Sequence, residues 1–430
     1  MTAILLCATP LAGHIGPFLS IGTDLREHGY DVHLLTGSRF ATQVRDAGLV
    51  HHTLTGSADF DERDPATFVP DAGRYQGLAL SRYQVENTFV RPITEQAACI
   101  ERILGENEIA AVLTDGTFAG ALPLLSAPAD DRPPVLGIGV MPLAQTSSDV
   151  APFNSGMRPL SGPIGRFRNR VANAAVRHAI FRSTQRLASR LVADAGGTLT
   201  TFVLDYSTLC DRFVQMGPAE FEYPRGDLAP NTVFAGPVSA RSTEAVSAPP
   251  WWDEVLADPR PIIHVTQGTL DNHDLSQLIE PTLDAMADAD VQVIVSTGGA
   301  PTDRLTRTLP PNARVARYLD YEALLPRTSV MVTNGGFGGV MTALRFGVPV
   351  VVAPGGEDKP EVAARVQYAD AGVDLRTKTP SAQDIRRAVD TALHSTSIRD
   401  GAVSLQHAIA AYSPFETIRS ELATALAHHP

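Results

Sequence analysis

The stretch SVMVTNGGFGGVMTALRFGVPVVVAPGG, residues 329–356, decides the fold. It begins and ends with short apolar runs, which are typical of strands buried on both faces. Between the two runs lie a turn with four glycines in five residues and a segment with apolar residues at helical spacing. A strand, a loop, a helix and a second strand in this order indicate a parallel sheet covered by helices.

The same alternation runs through the chain and predicts an α/β fold made of two Rossmann-like, doubly wound domains. We expect strands at 3–9, 31–37, 110–116, 134–140, 261–268, 291–299, 329–335 and 348–356. Helices are expected between them, including 82–105, 118–127 and 274–287. Residues 225–250 are rich in Pro, Gly, Ser and Ala and predict a linker. The expected units are therefore domain 1–224, linker 225–250, domain 251–412 and a terminal helix at 413–430.

Composition narrows the class of protein. A hydrophobic content of 44% and a charged content of 19% describe an ordinary globular chain. The net charge of −12 argues against a nucleic-acid partner, which needs a basic surface. Cys7, Cys99 and Cys210 have neither metal-ligand spacing nor a disulfide pattern, so we expect a reducing, cytoplasmic location. The N-terminal apolar run lacks basic residues and predicts a strand instead of a signal peptide, and no run is long enough to span a membrane.

A histidine and an aspartate follow two of the predicted strands. In open α/β sheets ligands bind beyond the carboxyl ends of the strands, where His14 (in AGHIGPF) and Asp115 (in VLTDG) both lie. An imidazole near its ordinary pKa suits a general base, and a carboxylate usually orients such a base. The alternatives are a loop-filling role for His14 and a helix N-cap role for Asp115.

The four glycines of the opening stretch, Gly335, Gly336, Gly338 and Gly339, precede a helix. Free backbone N–H groups and the positive end of a helix favour an anion, most often phosphate. The alternative is a tight turn, which needs fewer glycines. The spacing matches neither GxGxxG nor a Walker A loop. The turn TQGT at 266–269 has small and hydroxyl residues that meet the same phosphates or form an ordinary turn.

The next loop, GGEDKPEV, places Glu357, Asp358 and Lys359 before a helix. Carboxylates at this position accept hydrogen bonds from the hydroxyls of a polyol. The alternative is that acidic residues stabilise the N-terminus of the helix.

Residues 158–190 contain eight arginines and no acidic residue. In a chain of net charge −12 this asymmetry indicates a distinct surface. We interpret it as a solvated helical face. The alternatives are a subunit contact or a patch for an anionic acceptor or a membrane surface.

Taken together, these motifs resemble the GT-B glycosyltransferases of family 1. The resemblance covers nearly the whole chain through GHIGPFL, FAGPV, HVTQGT, YLDYEALLP and, most specifically, residues 332–366. It implies two domains facing across a cleft and a last helix that crosses back to the first domain. It also implies an inverting transfer of a hexose from a nucleotide diphosphate sugar, with UDP-glucose favoured, to a hydroxyl of a lipophilic acceptor. A dTDP-deoxysugar donor is the alternative.

The resemblance assigns roles to individual residues. His14 matches the general base, and Asp115 matches the carboxylate that orients it. Tyr318 falls where an aromatic ring stacks on the nucleotide base, and the backbone of Leu319 would read the edge of that base. The full donor-binding set is Gln267, Gly268, Thr269, Tyr318, Leu319, Asn334, Gly335, Gly336, Phe337, Gly338, Gly339, Asp358 and Lys359. No metal and no cofactor is expected.

Three departures from the family pattern concern the donor. Asn334 stands where many members have His, so a donor group is kept but a positive charge is lost. Gly338 and Gly339 stand where members often have Asn-Ser. Lys359 replaces the usual Gln beside the sugar-binding Asp358, and we expect its charge to compensate partly for Asn334.

The acceptor pocket is expected from segments 55–90 and 141–190, which suit a polyketide, macrolide or phenolic compound. Its predicted lining is Phe60, Phe68, Tyr75, Tyr83, Phe89, Met141 and Phe153. A monomer or a homodimer is expected. The alternatives of another class are a nucleotide-sugar epimerase and a non-catalytic nucleotide-binding protein of the same fold.

Overall fold

The computed structural model describes residues 1–160, 162–238, 247–269 and 272–428, which form two parallel sheets. The first sheet contains β1 (Ala3–Cys7), β2 (Asp31–Thr36), β3 (Val50–Thr53), β4 (Ile109–Asp115), β5 (Val135–Gly139), β6 (Arg212–Gln215) and β7 (Thr232–Phe234). The second contains β8 (Ile262–Thr266), β9 (Gln292–Ser296), β10 (Ala313–Ala316), β11 (Thr328–Thr333), β12 (Val350–Val352) and β13 (Gly372–Asp374). The predicted fold class is confirmed.

Helices cover both faces of each sheet. Those of the first half are α1 (Ala12–Glu27), α2 (Ala41–Asp46), α3 (Gly77–Val85), α4 (Ile93–Glu106), α5 (Leu122–Leu125), α6 (Gly162–Ala175) and α7 (Arg182–Asp194). Those of the second half are α8 (Trp252–Ala257), α9 (Ile279–Met286), α10 (Tyr321–Leu324), α11 (Phe337–Arg345), α12 (Lys359–Tyr368), α13 (Ala382–His394), α14 (Thr396–Ala410) and α15 (Pro414–His428).

Strand β1 shows why the central strands are apolar throughout. Ile4 and Leu6 enter the core on one face of the first sheet, whereas Leu5 and Cys7 enter the core on the other face. Because successive side chains of a strand point to opposite faces, a sheet covered on both sides needs a continuous apolar run.

The strand order places the candidate loops. It is β3-β2-β1-β4-β5-β6-β7 in the first sheet and β10-β9-β8-β11-β12-β13 in the second, with parallel pairing. The order reverses direction between β1 and β4, and again between β8 and β11. Such switch points leave a crevice at the carboxyl ends of the strands. His14 and Asp115 follow the first pair, and Gln267 and Asn334 follow the second.

Two sequence predictions differ from the structure. The expected helix 82–105 is divided, because α3 ends at Val85, a π-helical turn covers Glu86–Val90, and α4 begins only after Pro92. Proline has no N–H to donate and is tolerated only near the start of a helix. The expected linker 225–250 contains a strand, because β7 at Thr232–Phe234 pairs with β6 and completes the first sheet. Residues 239–246 of that segment lie outside the described residues.

The last helix, α15, packs on the first sheet and not on the second, although it follows the second in sequence. Ile418, Leu422 and Ala425 are buried in the core that also contains Ile4 and Leu6. The Arg212 guanidinium lies 3.1 Å from the Glu421 carboxylate, which fixes α15 beside β6. The predicted crossing of the terminal helix to the first domain is therefore present.

A buried ionic cluster joins the two halves. Arg365 of α12 is fully buried and donates to Glu222 Oε2 at 2.9 Å and to Glu361 Oε2 at 2.6 Å. Its guanidinium lies 4.4 Å from the centre of the Tyr223 ring. Glu222 and Tyr223 follow β6 of the first sheet, so this cluster sets the position of α12 against the first domain.

Candidate active site

His14 and Asp115 meet at the switch point of the first sheet. His14 lies in the first turn of α1, directly after β1, and Asp115 is the last residue of β4. His14 Nδ1 is 2.8 Å from Asp115 Oδ2. The imidazole is 16% exposed, and Nε2 has no hydrogen-bond partner among the described residues. The pair therefore presents one ring nitrogen to the cleft while the carboxylate holds the other.

Asp115 is fully buried and held by groups from three segments. Its carboxylate accepts from the backbone N–H of Thr9 at 3.2 Å and from the backbone N–H and hydroxyl of Thr117 at 3.1 and 2.8 Å. The Tyr206 hydroxyl donates to the backbone carbonyl of Asp115. These contacts fix the orientation of the carboxylate before any ligand arrives.

The electrostatics favour a charged pair. Burial by itself lowers the pKa of His14, but the charge and hydrogen bond of Asp115 raise it, and the net shift of the pKa is upward. Burial by itself raises the pKa of Asp115, but the interaction with His14 and the hydrogen bonds from Thr117 and Thr9 lower it overall. The opposite shifts of the two pKa values are those of a base whose cationic form is stabilised by a neighbouring carboxylate.

The second domain contributes to the same electrostatics. Asp358 and Glu357 also raise the pKa of His14, and the His14 charge in turn acts on the pKa of Asp358. Burial is the main cause of the raised pKa of Asp358. The loop before α12 thus faces the His14 side of the cleft.

Asn334 connects the two loops at the switch point of the second sheet. Its Nδ2 donates to the Gln267 backbone carbonyl at 2.6 Å, and its Oδ1 accepts from the Gly336 N–H at 3.4 Å. The amide therefore ties the loop after β8 to the loop after β11. A single side chain that both donates and accepts can do this, as Asn does.

The Gln267 side chain contacts the start of α9. Its side chain accepts from the N–H groups of Leu278 and Ile279 at 3.2 and 3.0 Å and donates to the Asp274 carbonyl at 2.9 Å. These contacts cap the start of α9 and occupy both ends of the amide. The role of Gln267 in donor binding stays a prediction, and Gly268 and Thr269 of the same loop are more exposed.

The glycines at the start of α11 are explained in two different ways. Gly335 has φ of 91°, and a Cβ there would lie 2.6 Å from Val352 Cγ1, so the turn itself requires glycine. A Cβ on Gly338 would meet nothing within 4 Å, and one on Gly339 would meet only a methionine methyl at that limit. Packing within the protein does not require these two glycines, so they leave open space at the first turn of α11.

Phe337 lies between the halves. Its ring is 7% exposed and packs against Phe221 with ring centroids 6.3 Å apart. The side chain is therefore part of the domain interface, and only the backbone N–H of Phe337 is left for a ligand at the N-terminus of α11.

Tyr318 and Leu319 occupy opposite environments. Tyr318 is 55% exposed and lies against Gly299, where a Cβ would come within 2.2 Å of the tyrosine hydroxyl. Leu319 is 7% exposed and packs with Ile262 and Ile294. The exposed ring is available for stacking, whereas Leu319 offers its backbone alone.

Lys359 is already paired. It is 6% exposed, and its Nζ lies 2.5 Å from Glu357 Oε2. Glu357 has φ of 62°, a left-handed conformation that is uncommon for a residue with a side chain. A Cβ on Gly335 would lie 3.6 Å from Lys359 Cβ, so the lysine is adjacent to the glycine turn.

The predicted acceptor residues form two stacked pairs and three single side chains. Phe60 and Phe68 stack at 4.6 Å, and Tyr75 and Tyr83 stack at 4.7 Å. Phe60 is only 3% exposed and serves packing, whereas Tyr75 is 37% exposed. Phe89, Met141 and Phe153 are half-buried. Their contact with an acceptor stays a prediction.

Several site residues escaped the sequence reasoning. Thr9, Thr117 and Tyr206 hold Asp115, and Glu62 accepts from the Ala12 N–H at 2.8 Å at the start of α1. Thr9 and Thr117 flank the ends of β1 and β4, a position that gave a usable signal. Nothing in the local sequence of Tyr206 or Glu62 indicates a partner so distant along the chain.

Within the described residues, no group of three or more His, Cys, Asp or Glu side chains is arranged to hold a metal ion. In the same residues, no helix combines the length and the apolar character needed to cross a bilayer.

Two family models match the chain. The N-terminal domain of glycosyltransferase family 28 matches residues 4–137, and the C-terminal domain of erythromycin biosynthesis protein CIII-like proteins matches residues 280–424. Among solved structures, the glycotransferase of kitacinnamycin superposes with a TM-score of 0.76 at 19% identity, covering 99% of both chains. The spinosyn rhamnosyltransferase SpnG complexed with thymidine diphosphate superposes with a TM-score of 0.69 at 16% identity, covering 98% of this chain and 99% of SpnG.

Curated relatives match over nearly their whole lengths. The 4'-demethylrebeccamycin synthase of Lentzea aerocolonigenes is 34% identical over 95% of this chain and 96% of its own. The UDP-glycosyltransferase 2 of Phaeomoniella chlamydospora is 33% identical (97% and 94%), and the UDP-glucosyltransferase A1 of Starmerella bombicola is 31% identical (99% and 92%). The chain is therefore an enzyme that belongs to the GT-B glycosyltransferases of family 1.

Proposed function

We propose that this glycosyltransferase moves a hexose from a nucleotide diphosphate sugar to a hydroxyl of a lipophilic natural product, with inversion at the anomeric carbon. The observation that carries the proposal is the 2.8 Å contact between His14 Nδ1 and Asp115 Oδ2, which leaves Nε2 without a partner among the described residues. A polyketide, macrolide or phenolic compound is the favoured acceptor. Three buried, free cysteines support a reducing, cytoplasmic location.

His14 acts as the general base. Nε2 takes the proton of the acceptor hydroxyl while the oxygen attacks the anomeric carbon from the face opposite the diphosphate. The bond between the anomeric carbon and the diphosphate oxygen breaks with its electron pair, so one displacement inverts the configuration. Asp115 stabilises the imidazolium that forms.

The N-terminus of α11 stabilises the departing diphosphate. Negative charge grows on the leaving oxygens as the glycosidic bond breaks, and the N–H groups of Phe337, Gly338 and Gly339 have no partners within the helix. The open space beside Gly338 and Gly339 supports a close approach of the phosphates. Exposed Tyr318 supplies a stacking surface for the base, and Asp358 accepts from sugar hydroxyls.

UDP-glucose is the favoured donor. The UDP-glucosyltransferase name of the Starmerella relative supports it at 31% identity. A dTDP-deoxysugar remains the second candidate, because Asn334, Gly338-Gly339 and Lys359 depart from the family pattern. The thymidine diphosphate bound to the structural neighbour SpnG also supports this alternative.

The test begins with thermal-shift measurements against UDP, dTDP and GDP sugars, followed by transfer assays on a panel of aglycones. We expect stabilisation by one nucleotide class and a product of inverted anomeric configuration by NMR. His14→Ala should abolish transfer while the donor still binds. His28→Ala is the matched control, since His28 directly follows α1 at the end opposite His14, with its Nδ1 3.8 Å from the Asp24 carboxylate. Wild-type turnover in His14→Ala, or a product of retained configuration, would refute the mechanism.

A further inference from the structure

Helix α6 exposes a row of large apolar side chains. Ile164, Phe167 and Val171 are 79%, 70% and 54% exposed. Their spacing of three and four residues places them on one face of the helix. Single exposed apolar residues are ordinary, but a contiguous row marks a surface with a partner.

The opposite face of α6 fixes this orientation. Asn169 Nδ2 donates to the Ser148 carbonyl at 3.1 Å, and Asn173 Nδ2 donates to the carbonyls of Ser147 and Val150 at 2.9 and 3.2 Å. These contacts anchor the helix on the loop that follows β5. The apolar row therefore lies on the face of α6 that points away from the protein.

Two further exposed apolar side chains precede α6. Leu160 and Met157 are 44% and 38% exposed, and the N–H of Gly156 donates to Glu361 Oε1 of α12 at 3.3 Å. Exposed apolar side chains are therefore present both near this contact between the domains and along α6.

The segment that contains the row is rich in arginine. Eight lie within residues 158–190 together with no acidic residue, in a chain of net charge −12. Among described carboxylates, only Asp149 lies at ion-pair distance from any of the eight, 2.7 Å from Arg166. Arg168 and Arg170 lie three or four residues from members of the row and therefore border it, and Arg170 is exposed. An apolar stripe bordered by cations complements a surface that is anionic outside and apolar inside.

We propose that the outward face of α6 docks on an anionic lipid surface. Ile164, Phe167 and Val171 enter the boundary between headgroups and acyl chains, while the arginines contact lipid phosphates. A second copy of the chain fits less well, because a symmetric contact would bring like-charged arginines together. The proposal involves no transfer step, so it stands or fails independently of the proposed function.

The test uses the full-length protein and flotation with vesicles of phosphatidylcholine alone or mixed with phosphatidylglycerol. We expect the wild type to bind the mixed vesicles, and about 1 M NaCl, where the screening length is about 3 Å, to weaken that binding. Ile164→Gln/Phe167→Gln/Val171→Gln should weaken it about tenfold or more, since Gln keeps helix propensity and removes the apolar contacts. Arg170→Gln should weaken it about fivefold.

The matched control is Val50→Thr/Leu309→Ser, which changes apolar residues that are 44% and 37% exposed elsewhere. It should bind as the wild type does. Circular dichroism and nucleotide-induced thermal shifts establish that every variant is folded. Failure of the wild type to bind mixed vesicles would overturn the proposal, and so would unchanged binding by the triple variant. A dimer in size-exclusion chromatography that the triple variant alone abolishes, without vesicle binding, would assign the face to a subunit contact instead.

Discussion

At the residue scale, Asp115 controls both the charge and the pH response of His14. The net upward shift of the His14 pKa means that the folded enzyme holds the proton above the ordinary value of 6.5. A general base must be neutral, so kcat/KM should fall as the pH drops through the raised pKa. The raised pKa of His14 contributes stability that is fully present below pH 6.5 and is lost as the pH rises through the raised pKa. The lowered pKa of Asp115 contributes stability that is present above pH 3.8 and is lost as the pH falls through the lowered pKa.

Asp115→Asn removes the charge but keeps the shape. We expect kcat to fall about 10²- to 10⁴-fold, because the imidazolium loses its partner. The acid limb of the kcat/KM profile should move to lower pH, since Asp115 makes the largest upward contribution to the pKa of His14 and its charge is then gone. Thr117→Val is the control, because it removes one hydrogen bond to Asp115 and keeps the charge. An acid limb that does not move in Asp115→Asn would contradict the assigned coupling.

Substitution of Lys359 tests whether its charge compensates for the positive charge that Asn334 lacks. The Cβ of Lys359 lies near the glycine turn, and its Nζ is paired with Glu357, so contact with a phosphate requires Nζ to share that ion pair. Lys359→Gln should raise the KM for the donor about tenfold, the size expected for one hydrogen bond to a charged group. Glu357→Gln keeps the lysine and releases it, so the donor KM should stay equal or fall. An unchanged donor KM in Lys359→Gln would sink the hypothesis.

The residue scale also shows where sequence reasoning succeeds. His14 and Asp115 could be paired in advance, because both follow strands whose carboxyl ends share one edge of a sheet. The contacts of the Gln267 side chain could not be predicted, since its partners Asp274, Leu278 and Ile279 are brought to it by the tertiary structure. Side-chain direction in a loop is set by contacts that the local sequence does not encode.

At the scale of elements, strands with a continuous apolar run could be predicted from the sequence, whereas β6 and β7 could not. β1 and β12 are continuous apolar runs because helices cover both of their faces. β6, with the sequence RFVQ, and β7, with only three residues amid Pro and Gly, carry no such pattern. β6 becomes a strand because it pairs with the free edge of β5, and β7 becomes one because it pairs with β6. This is a tertiary effect that overrides local propensity.

Helix α12 links the domain interface to the donor loop. Asp358 and Lys359 lie at its start, and Arg365 anchors it to Glu222 about two turns later. Arg365→Met should cost about 3–5 kcal/mol in the free energy of unfolding, because two buried carboxylates lose their cation. It should also raise the donor KM, since the start of α12 loses its fixed position.

A double variant separates the loss of charge compensation from the loss of packing. In Arg365→Met/Glu222→Gln the uncompensated charge on Glu222 is gone, so the loss of stability in urea unfolding should be smaller than in Arg365→Met. Arg365→Lys keeps the charge and should fall between the wild type and Arg365→Met. Equal losses in the single and double variants would show that the cluster contributes through packing alone.

At the scale of the whole molecule, α15 belongs to the first domain although it follows the second domain in the chain. The helix follows α14 of the second half, yet Leu422 is fully buried in the core of the first sheet. The chain thus crosses the cleft twice, once before β8 and once before α15. Motion of one domain against the other must therefore be accommodated at two chain connections.

This topology predicts where a core substitution in α15 acts. Leu422→Ala should cost about 2–5 kcal/mol in the free energy of unfolding, the usual range for a buried leucine. Hydrogen exchange should rise in α1, β4 and β6, which contact α15, and not in the helices of the second half. Leu405→Ala of α14 is the matched control, because Leu405 is 3% exposed in the core that contains Leu344 and Val350. It should raise exchange in α11 instead, and saturating nucleotide should offset its destabilisation more than that of Leu422→Ala, since the proposed donor loops lie in its own domain. Faster exchange in α11 for both variants would mean that α15 belongs energetically to the second domain.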